Sequence, residues 1–138
     1  MPASSLSSEA TLETRSGRPA RYGLLALLAA LSAATLGLGG WLTSLGFGPW
    51  YDALQKPWFQ PPGWVFSPAW TTIMTLLAVA TWQVARRGAA ARVALWFYAM
   101  QLILNAVWSL LFFALARPGW ALVEFIVLDM DVFAMVGL

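Results

Sequence analysis

The run from Tyr22 to Leu45 contains no charged side chain, and little but a membrane accommodates such a run. At the helical rise per residue it reaches about 36 Å, enough to cross a hydrocarbon core of about 30 Å. Comparable apolar runs follow at about 65–85, 92–116 and 119–138. Only 10% of the residues are charged and 60% are hydrophobic, whereas a soluble domain is charged at roughly a quarter of its positions. The expectation is an all-α, multi-pass transmembrane helix bundle of four helices, at about 22–45, 65–85, 92–116 and 119–138, with a Trp- and Pro-rich loop at 46–64. Residues 1–21 are rich in Ser, Ala and Thr and carry Glu9, Glu13, Arg15, Arg18 and Arg21. Such a segment buries too little apolar surface to offset its ordering entropy and reads as a disordered polar tail.

What the chain lacks narrows its chemistry. It has no cysteine and no histidine, hence no disulfide, no cysteine nucleophile and no His or Cys ligand for a metal or haem iron. No catalytic residue and no metal site are expected, and no cofactor is required. A net charge of +2, confined to loops, is too small to suggest a nucleic-acid partner.

Between Trp50 and Trp70 lie Trp50, Trp58, Trp64 and Trp70 together with Pro57, Pro61, Pro62 and Pro68. Proline fixes φ, removes a donor and pushes its predecessor towards extended geometry, so no regular helix is expected before Pro68. Tryptophan suits a membrane boundary, as a belt, or the lid of an apolar pocket. The residue types leave both open.

The helices carry distinct faces. Ala26, Ala30, Ala33, Ala34, Gly37 and Gly40 place small side chains on adjoining strips of the first, which lets helix backbones approach in lipid. In the second, Trp70, Met74, Leu77 and Thr81 share a face. In the third, Phe97, Gln101, Asn105, Trp108 and Phe112 form one stripe. Two amides at membrane depth must meet another helix, water or a ligand. Interhelical bonding and ligand recognition both stand. The fourth holds Glu124, Asp129 and Asp131, and each central carboxylate costs about 2.5–3.5 kcal/mol of insertion. Those acids should face protein or water. Glu124 and Asp131 lie two turns apart on one face, and Asp129 is about 160° round from Asp131, which argues against a single ion-conducting cluster.

Basic residues set the orientation. Arg15, Arg18 and Arg21 in the tail and Arg86, Arg87 and Arg92 in the second loop outnumber Lys56 and Arg117 elsewhere. By the positive-inside rule the N-terminus is cytoplasmic and the Trp-rich loop faces outwards, in a bacterial cell membrane.

The pattern Trp50-Tyr51, Leu54, Lys56-Pro57-Trp58, Pro61-Pro62, Trp64-Val65-Phe66 and Trp70-Thr71 resembles the first loop and second helix of TspO/MBR proteins, the tryptophan-rich sensory or translocator proteins. A second block, Phe97 to Gln101, Asn105, Trp108-Ser109 and Phe112-Phe113, is similar to that family's third helix. The resemblance implies a bundle of five transmembrane helices, pairing as a homodimer, that binds porphyrins and, in some members, cholesterol and drug-like molecules. It implies pocket positions at Trp58, Trp70, Gln101 and Asn105, with Tyr51, Phe97 and Trp108 as walls. The chain ends at Leu138, before the family's fifth helix, so only four of the five are expected here. Leu128-Asp129-Met130-Asp131 falls where the family has an apolar run.

The expected function is therefore that of a membrane receptor or transporter holding a tetrapyrrole, porphyrin or haem, or another flat apolar ligand, under the first loop. Two alternatives are photo-oxidative porphyrin breakdown and a helix-packing fragment without a complete ligand site.

Overall fold

The computed structural model describes residues 3–137, and side chains from Tyr22 to Gly137. The polar tail expected at 1–21 therefore lies outside the described side chains. Five α-helices occur among the described residues: α1 (Ala3–Gly46), α2 (Pro49–Asp52), α3 (Phe66–Ala85), α4 (Ala91–Ser109) and α5 (Pro118–Val136). The expectation of four helices is thus corrected to five.

The additional helix is α2, inside the stretch read as loop. Gly48 turns the chain at φ 154°, a conformation open mainly to glycine, and Pro49 then opens a single turn. Proline suits that position because a helix start leaves its N–H unpaired in any case. The amides of Asp52 and Ala53 close the turn on the carbonyls of Gly48 and Pro49, each at 3.0 Å. Proline content argued against a helix here, but proline at the first position permits one.

Among the described residues three stretches are long and apolar enough to cross a membrane: Tyr22–Gly46, Gly63–Ala85 and Ala91–Ala114. Most of their side chains point outwards, with Leu27, Leu31, Leu38, Ile73, Leu76 and Ile103 all exposed. In water such a surface would be an association hazard. Lipid is the solvent that suits it, and helices satisfy their backbone polar groups internally.

Helices α1, α3 and α4 pack on one another, whereas α5 leans on α4 and the segment that follows it. The core cluster is Leu28, Ala78 and Tyr98, one from each of the three. Tyr98, 2% exposed, donates its hydroxyl proton to the Leu28 carbonyl. Ser32 Oγ lies 2.8 Å from the Tyr98 oxygen and donates to it, because the phenol proton is already committed. The Met74 carbonyl stands 3.5 Å from Ser32 Oγ, so α3 closes on the same pair of hydroxyls.

The third apolar run does not stay α-helical to its end. From Leu110 to Ala114 it widens into a π-helical turn, with the amides of Leu115 and Arg117 reaching back to Leu110 and Leu111 at 2.9 Å. Pi turns add a residue to the ring and redirect the side chains beyond it. Here Phe112 stacks on Trp108 at 5.2 Å and 13°, and Phe113 turns towards α1. Gly46 makes that approach feasible: a Cβ there would lie 2.7 Å from Phe113 Cβ and 2.7 Å from its carbonyl oxygen.

Helix α5 buries Ala121, Glu124 and Leu128 and half-buries Asp131, while Asp129 is exposed. Gln101 Nε2 donates to Asp131 Oδ2 at 2.9 Å and to the Leu128 carbonyl at 3.3 Å. Both oxygens of Glu124 are buried without a hydrogen-bond partner among the described residues.

Two pairs of substitutions test this packing by thermal unfolding in detergent. Gly46→Ala should cost about 1–3 kcal/mol, because backbone rather than a flexible side chain opposes the methyl group. Gly37→Ala, with nothing within 4 Å, should be neutral or stabilise by up to about 1 kcal/mol. Equal melting temperatures for the two would contradict the contact between α1 and the π turn. Gln101→Leu should lose roughly 0.6–2 kcal/mol by stranding Asp131, and adding Asp131→Leu should recover most of it. Additive losses would show that the two side chains do not act together.

Candidate functional site: a cavity beneath the first loop

A cavity of about 730 Å³ opens between α1, α3, α4 and the π turn. That lies within the 300–1,000 Å³ usual for small-molecule sites. Its α1 wall is built from Thr35, Gly39, Gly40 and Thr43. The small side chains expected to serve helix packing, Ala26, Ala30, Ala33, Ala34, Gly37 and Gly40, are all exposed, and of these six Gly40 alone borders the cavity. A Cβ on Gly39 would touch Ser109 Oγ at 3.4 Å, whereas one on Gly40 would meet nothing within 4 Å. Gly40 widens the cavity, and Gly39 admits α4.

The α3 wall holds Trp70, Thr71 and Met74, the α4 wall Asn105, Trp108 and Ser109, and Phe113 enters from the π turn. Phe47, Tyr51 and Gln60 contribute from the loop side. Tyr51 is fixed by its neighbours: Phe47 meets it edge-on at 5.3 Å, and Gln60 Nε2 donates to its hydroxyl at 3.1 Å. Trp50 packs edge-on against Phe112 at 6.0 Å. Helix α2 therefore seats two aromatic rings against the π turn, and this aromatic cluster joins the loop to the membrane helices.

Among the described residues no charged side chain lines the cavity. Its polar groups are hydroxyls and amides, several already bonded to their own helices. Thr35 Oγ1 donates to the Leu31 carbonyl at 3.0 Å, and Thr71 Oγ1 to Ser67 at 2.8 Å. Asn105 Nδ2 donates to the Gln101 carbonyl at 3.3 Å, which leaves Oδ1 and the second N–H for a ligand.

Of the seven side chains expected at the site, Tyr51, Trp70, Asn105 and Trp108 line the cavity. Trp58 does not: it is 95% exposed and rests edge-on against Phe59 at 5.7 Å. Gln101 is 4% exposed, but its amide is spent on α5 rather than on the cavity. Phe97 is half-buried and away from the cavity. Asn105 is the deepest α4 residue on the wall, and Gln101 and Phe97 lie one and two turns further along the helix, about 6 and 12 Å. A stripe shared by one helix face runs past the end of the space it borders.

Sequence reasoning missed the hydroxyls of Thr35, Thr43 and Thr71 and the ring of Phe47. Thr35 and Thr43 stand two turns and a residue apart, with the paired glycines between them, and that pattern was the available signal.

Comparison with known proteins accords with this architecture. The chain is 45% identical over 73 residues to a tryptophan-rich sensory protein of Cereibacter sphaeroides, covering 53% of this chain and 46% of that protein. It is 38% identical over 96 residues to the tryptophan-rich protein TspO of Archaeoglobus fulgidus, covering 68% and 62%. Against the translocator protein of Sus scrofa it is 39% identical over 97 residues, covering 64% and 57%. The matches thus span about half to three-fifths of these relatives. The model of the TspO/MBR family matches residues 25–138, which takes in every residue that lines the cavity. The chain is a membrane protein and belongs to the TspO/MBR family.

Proposed function

We propose that the protein binds a tetrapyrrole, porphyrin or haem, in the cavity beneath the first loop and acts as a receptor or carrier for it. One observation carries this reading: an uncharged space of about 730 Å³ with two indoles, Trp70 and Trp108, on its walls and the Asn105 amide beside them. Indole faces offer a planar ligand stacking area, and the amide offers its polar edge a hydrogen bond. The sequence has no histidine and no cysteine, so an iron centre would find no axial ligand of either type. Metal-free porphyrin and haem should then bind with similar affinity. The names of the relatives, sensory and translocator proteins, favour binding over catalysis. In this reading the protein sits in a bacterial cell membrane with its N-terminus in the cytoplasm, following the arginine bias of the tail and second loop.

Titration of the purified protein with protoporphyrin IX, followed at the Soret band, tests the assignment. Trp70→Ala should weaken binding roughly 5- to 150-fold, taking stacking on an aromatic as about 1–3 kcal/mol. Trp58→Ala should leave affinity within about twofold, as expected of a substitution remote from the site. The reverse ranking would move the site out of the cavity and onto the loop surface. Steady loss of porphyrin absorbance beyond one equivalent would instead indicate turnover.

A further inference from the structure

The described cavity walls carry no charge, yet a cation rests on one of the wall residues. Lys56 Nζ lies 3.9 Å from the centroid of the Tyr51 ring, and Tyr51 is a wall residue. The same tyrosine accepts the Gln60 amide, so Lys56 and Gln60 are both held by one ring. Lys56 is the only basic residue of the loop at 46–64, and it forms no ion pair among the described residues.

A carboxylate taken into an uncharged apolar cavity loses its hydration without compensation. Towards the membrane interior the space ends at Met74 and Asn105, above the closed Ser32–Tyr98 contact, and no cation is found there. A ligand with an apolar body and an anionic edge can therefore enter in one sense only, body first, with the anion left at the rim. We propose that Lys56 is a specificity-determining residue that pairs with a carboxylate on the edge of the bound ligand and so selects anionic planar ligands over neutral ones. This rests on the cavity being the ligand site. Lysine suits the task because its flexible stem lets the ammonium leave the Tyr51 ring for a stronger partner while the ring holds it in reach.

The test compares protoporphyrin IX, a dicarboxylate, with its neutral dimethyl ester, titrated into wild-type protein, Lys56→Met and Lys56→Arg in detergent. Wild type should bind the diacid more tightly than the ester. Lys56→Met should weaken the diacid by roughly 3- to 10-fold, between an exposed ion pair and a charged hydrogen bond, and leave the ester unchanged. Lys56→Arg should keep the preference. A Lys56→Met protein that still prefers the diacid overturns the inference. So does one that loses affinity for both ligands equally, since Lys56 would then only brace the loop through Tyr51. If wild type binds neither ligand, the cavity reading falls and this inference with it, an outcome distinct from the other two.

Discussion

The packing of α1, α3 and α4 turns on one polar contact beside the apolar cluster of Leu28 and Ala78. Tyr98 of α4 gives its proton to the Leu28 carbonyl of α1, Ser32 of α1 gives its proton to the Tyr98 oxygen, and the Met74 carbonyl of α3 stands alongside. In lipid the hydrophobic effect does not drive helices together, so packing and interhelical hydrogen bonds set which faces meet. Tyr98 brings both, a large buried ring and a hydroxyl that only one arrangement of three helices satisfies. This contact closes the bundle at one level, and the cavity opens beyond it between α1, α3, α4 and the π turn.

Above that level aromatic rings line much of the space. The π turn supplies two rings, Phe112 and Phe113, and the Gly46 backbone receives the second. Helix α2 sets Trp50 and Tyr51 against the same pair. The roof is thus tied to α4 through ring contacts, and its position depends on a local departure from α geometry that no hydrophobic period reveals.

How far the sequence could be read follows from what each signal measures. Three of the four expected membrane spans, all but the acid-bearing 119–138, were legible because apolar length is a property of the run itself, and the family was legible because its motifs recur in order with their spacing. The stripe on α4 was legible as a face but not as a depth. Periodicity reports direction around a helix and says nothing of where a neighbouring helix ends or what it carries, so Asn105 and Gln101 looked alike. Asp131, thirty residues away, separates them by taking the Gln101 amide. Trp58 was misplaced for a related reason. Residue type suggested a lid, but the extended prolines around it hold the indole out in the open. The π turn and the one-turn helix α2 escaped because each depends on tertiary contacts or on a glycine conformation.

The hydroxyls of the cavity wall have a consequence for what the wall can offer. Thr35 and Thr71 each spend their hydroxyl proton on a carbonyl of their own helix one turn earlier. Those atoms therefore present lone pairs to the interior, and that part of the lining behaves as a base-like surface without any base. A guest whose inner edge brings its own N–H or O–H finds acceptors ready-made, whereas one that brings only acceptors meets oxygen against oxygen. At these two threonines the described lining offers acceptors, while the second Asn105 N–H beside them remains a donor.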